Sequence, residues 1–171
     1  MNLLSFTAFL LAMTTSYVRI IHIDGKPIIM HGRETTQITP SEDIREKITD
    51  AEKLLEKINN ERLTKNIPPV EMNKNLYLIA RAHGIDMARR GYFSHISPEG
   101  IDPFHRMDQA KIIYQYAGEN LALDQNVEEA DRALWNSPGH RSNTLDKHYR
   151  HIGIAAIISH DGEIFVEEFT N

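Results

Sequence analysis

The sequence predicts an α+β domain, and two observations predict it. Apolar residues recur at helical spacing, with capping signatures, from about residue 39 to residue 136. After them comes a terminal hairpin, Ile152 to Ser159 and Ile164 to Phe169, joined by Asp161-Gly162. Helices first and a hairpin last suit layered packing of helices on a sheet. At 171 residues the chain suits one domain with a short extension, and it has no internal repeat or low-complexity segment.

Taken in order, Leu3 to Met13 form an apolar run, long enough for a signal-peptide core and too short to span a bilayer. Residues 1–16 are therefore read as a signal peptide or an apolar N-terminal segment, although no Lys or Arg precedes the run and Ala12-Met13-Thr14 is a poor cleavage box. Residues 17–38 form a hairpin-like extension and linker: Val18, Ile20 and Ile21 lead into Asp24-Gly25, Ile28 to Met30 return, and Arg33 to Thr39 are polar. The main domain is expected over 39–171.

Thr39-Pro40-Ser41-Glu42 predicts a helix start, with Ile44, Ile48, Ala51, Leu55 and Ile58 on one face and Pro68-Pro69 beyond its end. A second helix runs from Lys74, with Leu76, Ile79, Ala80, His83 and Met87 inward and Gly91 closing it. Tyr92 to Gly100 must be loop. Asp102-Pro103 starts a short helix to about Ala110, and Ile112 to Tyr116 is extended or a strand. Asn126 and Glu129 cap another helix, with Ala130, Ala133 and Leu134 inward, Trp135 as a core anchor, and Pro138-Gly139 as its stop.

The composition narrows the function. A formal charge of −5 without a charged block argues against nucleic acid as a partner, and no stable membrane span is predicted. The chain has no cysteine, so disulfides, thiolate nucleophiles and cysteine-rich zinc sites are excluded.

Three short motifs carry candidate chemistry: Tyr92-Phe93-Ser94-His95, Ala117-Gly118-Glu119-Asn120-Leu121-Ala122 and Ser137-Pro138-Gly139-His140-Arg141. Their two imidazoles and one carboxylate are 24 and 21 residues apart, so only tertiary folding can bring them together. His95, His140 and Glu119 suit zinc, copper or nickel, and a three-ligand zinc with an open position can polarise a carbonyl or supply hydroxide. Without metal, Glu119 would raise the pKa of a nearby histidine, which suits acid-base work and makes Glu119 the candidate catalytic group. The purely structural alternative has Gly118 making a turn, Glu119 and Asn120 bracing loops, and His140-Arg141 capping a helix. His83 is expected in the core or at a cleft edge; His105, His148, His151 and His160 are expected at the surface or in loops. Arg106 and Arg141 are candidates for an anionic ligand. Tyr92, Phe93, Tyr114 and Tyr116 are candidates for lining a groove.

With Ser97-Pro98-Glu99-Gly100, Trp135 and His151-Ile152-Gly153-Ile154, these motifs resemble the CAP superfamily of cysteine-rich secretory, antigen 5 and pathogenesis-related proteins. More closely, they resemble its cysteine-free bacterial, SCP-like extracellular branch, over about Leu54 to Phe169. The resemblance implies a three-layer α-β-α sandwich with a central, mostly antiparallel sheet. It also implies a cleft of two histidines and two glutamates, which several animal members use for a divalent cation. Carried over, these are His95, His140 and Glu119; the second glutamate, due just after Trp135, is absent, since Asn136 follows. The expected protein is secreted or envelope-associated, its cleft binding a divalent cation, zinc foremost, and a cell-wall, glycan or peptide ligand. A metal-dependent, peptidase-like hydrolase is the alternative.

Overall fold

The computed structural model describes the strand backbones Thr15–Ile23 and Lys26–Glu34 and all of residues 45–171. β1 (Thr15–Ile23) and β2 (Lys26–Glu34) pair antiparallel, Thr15 opposite Glu34 and Ile23 opposite Lys26. Arg33 and Glu34, expected in a linker, thus belong to a strand. The Asp24-Gly25 turn, the apolar run at residues 3–13 and the Thr39 cap lie outside the described residues.

The main unit, Glu42–Asn171, is built on a four-stranded sheet. Its elements are α1 (Ile48–Thr64), β3 (Glu71–Met72), α2 (Lys74–Arg90), α3 (Pro103–Gln109), β4 (Ala117–Asp124), α4 (Val127–Asn136), α5 (Pro138–Thr144), β5 (His151–Ile158) and β6 (Glu163–Thr170). The strand order is β3-β5-β6-β4, antiparallel except for the short β3–β5 pair. Helices cover both faces, an α-β-α sandwich.

Alternation along the strands divides two cores. Ile152, Ile154 and Ala156 of β5, with Phe165 and Phe169 of β6 and Ala122 of β4, pack on Ala51, Leu54 and Ile58 of α1 and Ala130 and Leu134 of α4. Ala155, Ile157, Ile164, Val166 and Leu121 face the other way, onto Ala80 and Met87 of α2. α2 lies close to the sheet because glycine makes room. A Cβ on Gly153 would sit 2.1 Å from the Leu76 carbonyl carbon, which no packing adjustment of a side chain could relieve.

Local signals account for four of the helix ends. Asn73 accepts from the N–H groups of Asn75 and Leu76, Asp102 from that of His105, and Asn126 from that of Glu129. Gly91, at φ 66°, closes α2 and donates to the Met87 carbonyl.

Four expectations need correction. The first helix does not continue through Arg45–Lys47. Glu46 bridges Ile157 of β5, and Lys47 donates to the Ala156 carbonyl, so sheet pairing wins there. Ile48, placed in the buried stripe, is therefore in the first turn and 60% exposed. On α4, Ala133 is exposed and Trp135 is only half-buried, with the Arg141 guanidinium over its ring at 5.8 Å. Pro138 does not merely stop α4; it opens α5 at the first helical position, where its missing N–H costs nothing.

Candidate functional site

Glu119 lies on β4 and faces the α2 side of the sheet, in register with Glu168 of β6. Both are buried, at 7% and 0% exposure. The Glu119 carboxylate is gripped from two sides. His95, on the loop after α2, donates from Nδ1 to Oε1 at 2.7 Å, and Arg106 of α3 donates from Nη2 to Oε2 at 2.5 Å. Arg106 also donates from Nη1 to the carbonyls of His95 and Ile101, at 3.0 and 3.2 Å, and lies 3.6 Å from Glu168 Oε1. One guanidinium thus ties the His95 loop to both carboxyls.

Burial works to raise the Glu119 pKa, but the His95 hydrogen bond and the Arg106 charge outweigh it and hold the group below its ordinary value. Glu168 goes the other way: burial, then the charge of Glu119, push it well above the usual carboxyl range. Neither Glu168 oxygen accepts a hydrogen bond from a described donor. The protonated acid can instead give its own hydrogen to Glu119.

His140 comes from α5, at the edge strand β4. Asn120 donates from Nδ2 to the His140 carbonyl at 3.2 Å, and Asn143 donates to the Glu119 carbonyl at 3.3 Å and to Asn120 Oδ1 at 2.9 Å. Gly118 permits this approach: a Cβ there would lie 2.6 Å from the Tyr149 hydroxyl and 3.2 Å from Asn143 Oδ1. It sits inside a strand and makes no turn, which corrects that part of the structural reading. Burial, then the charge of nearby His95, lower the His140 pKa. Among the described residues, the His140 side chain hydrogen-bonds to neither His95 nor Glu119. The fold thus joins His95 to Glu119 directly and brings His140 within electrostatic range.

A divalent ion does not fit this arrangement as it stands. Both Glu119 oxygens are engaged, one by a cation. Among the described residues, no three His, Asp or Glu side chains converge as ligands of one ion.

Two participants escaped the sequence reading or were undervalued by it. Glu168 brings a second carboxyl from β6, after the helix position expected for one proved empty. It was hidden because Glu167-Glu168 gives no sign of which side chain enters the cleft. Arg106 had been singled out only for anionic ligands; its three protein acceptors were not legible. His83 is buried and pairs through Nε2 with the Ser94 carbonyl at 2.9 Å, bracing the same loop. It also lines, with Asp86, Arg90, Glu99 and Arg106, a hollow of about 450 Å³ between α2 and α3. His105, His148 and His160 are exposed, as expected, with His148 stacked on Tyr116 at 4.1 Å, whereas His151 is half-buried and opens β5.

Residues 55–169 match the model of the cysteine-rich secretory protein family, CAP. The chain is 38% identical over 118 residues to the uncharacterized protein YkwD of Bacillus subtilis, covering 68% of this chain and 45% of that protein. It thus spans less than half the length of that relative. Among solved structures, an extracellular protein containing an SCP domain from Bacillus anthracis superposes with a TM-score of 0.65 at 27% identity, over 72% of this chain and 40% of that one. An outer surface protein of Borrelia burgdorferi gives a TM-score of 0.69 over 74% of this chain and 97% of that one; at 22% identity it supports the fold alone. No helix among the described residues is long and apolar enough to cross a membrane. A family match over most of the main domain, on an α-β-α sandwich carrying the His95, Glu119 and His140 motifs, places this chain in the CAP family.

Proposed function

We propose that this chain is an extracellular binding module whose cleft takes a polar cell-wall ligand, a glycan or a peptide, at His95, with His140 beside it. The observation that supports this most is the grip on Glu119. Its carboxylate engages His95 through Nδ1, which fixes the ring and leaves Nε2 to meet a ligand on a side chain that is 49% exposed. Burial and the His95 charge lower the His140 pKa, which favours its neutral imidazole. A hydrogen-bonding cleft mouth over a buried ion pair favours hydroxyl and amide groups. Phe93, Ile96 and Phe104 are exposed on the same segments as His95 and Arg106, and supply apolar surface of the sort on which sugar faces or peptide side chains pack. The similarity to an extracellular SCP-domain protein supports the location.

The competing reading, a metal-dependent hydrolase using His95, His140 and Glu119, requires Arg106 to leave Glu119 before an ion can reach both oxygens. Titration of the labelled protein with solubilised cell-wall glycan-peptide fragments, followed by NMR with chelator present, tests the binding reading. Shifts should centre on His95 and His140, and His95→Ala should weaken binding about tenfold, the worth of one or two polar contacts. Fragments that leave these resonances unmoved would overturn it; chelator-sensitive cleavage of them would favour the hydrolase.

A further inference from the structure

We propose that Arg106 is the built-in cation of the cleft. It occupies, between Glu119 and Glu168, the place a divalent ion would take, and it makes this site one that excludes metal. Two carboxyls at opposed register positions of β4 and β6, both buried, demand a compensating positive charge or a proton. A protein can meet that demand with an ion from solution or with a side chain of its own. Here the side chain is present and held: Nη1 is fixed by the carbonyls of His95 and Ile101 while Nη2 reaches Glu119.

A guanidinium, unlike a histidine or lysine side chain, does not give up its charge by deprotonation in proteins, so it is a permanent counter-charge for Glu119. A cation entering beside Glu119 would meet a fixed like charge with little water between them, and the repulsion is strong at such range. Arg106 is therefore the residue that decides what the cleft admits. Removing the guanidinium, the part that reaches the carboxyls, should free Glu119 Oε2 beside Glu168 and let these two carboxyls and the His95 imidazole rearrange around an ion, a donor set that suits zinc. This inference rests on the ion-pair geometry alone, and it stands or falls separately from the identity of the polar ligand.

The test uses zinc as the only probe. Calorimetric titration of the full chain, with Glu119→Gln as the control for binding at surface histidines, should find no uptake in the wild type that the control abolishes. Arg106→Met should gain about one equivalent, lost again in the Arg106→Met/Glu119→Gln double variant. Arg106→Lys should exclude zinc as the wild type does. A wild type that binds zinc in a Glu119-dependent way would overturn the proposal. So would a folded Arg106→Met variant that gains none. Should that variant not fold, as circular dichroism would reveal, Arg106→Gln takes its place under the same two criteria.

Discussion

Glu119 is buried and yet kept charged, and that tension defines the cleft at the scale of single residues. Breaking the network from its centre should be expensive. Glu119→Gln strips the counter-charge from Arg106 and should cost on the order of 3 kcal/mol in denaturant unfolding, as for other buried pairs that lose one partner. Glu167, next to Glu168 but on the opposite face, gives a separate prediction. It is fully buried, hydrogen-bonded by Asn120 Nδ2 at 2.8 Å, and desolvation lifts its pKa to about 7 from 4.5. In that window the unfolded chain loses this proton before the folded one does, so stability falls as pH rises from about 4.5 to about 7. Glu167→Gln should remove this loss and be more stable than the wild type above pH 7, by about 3 kcal/mol at most. Equal unfolding free energies at pH 8 would contradict it. Of the residue chemistry, His95, Glu119 and His140 were legible because short motifs mark them. Glu168 and the three-way role of Arg106 were not, because neither is visible before β6 is placed beside β4 and α3 beneath the His95 loop.

The elements hold that geometry through a few buried contacts. Arg62 of α1 is wholly buried and donates to four carbonyls, those of Pro68, Thr144, Asp146 and Tyr149, at 2.8–3.0 Å. Two of these flank the end of α5, so a side chain on the first helix fixes the element that carries His140. Arg62→Ala would leave the carbonyls unpaired and should cost at least ~3 kcal/mol by chemical denaturation. Gly153→Ala should be as damaging, since its Cβ would strike the backbone of Leu76 and drive α2 from the sheet; a folded variant of wild-type stability would refute the close-packing account. The helices and the terminal hairpin were readable from apolar periodicity and caps. The start of α1 was not, because Thr39-Pro40-Ser41-Glu42 advertises a cap while the strand-like bridge of Glu46 to Ile157 is a tertiary event. Pro138 misled for a related reason: the same ring that cannot continue one helix is well suited to begin the next.

At the scale of the whole molecule, the sandwich needs neither cysteine nor any cross-link, because apolar cores on both sheet faces carry it. With Arg106 supplying the positive charge, a chelator should leave the melting temperature unchanged within about 1 °C, whereas a bound structural ion would make it fall. The motifs predicted the family-level architecture, and it was found. What links one motif to another became visible only where β4, α5 and the His95 loop meet.

Side chains that are remote in sequence but share one cleft must feel one another's charge. Histidine-selective NMR titration of the wild type and of His95→Gln tests it most directly. His140 should titrate below an ordinary imidazole in the wild type, from burial and from the charge of His95, and should move up when His95 is replaced. A His140 titration indifferent to the replacement would contradict the shared cleft.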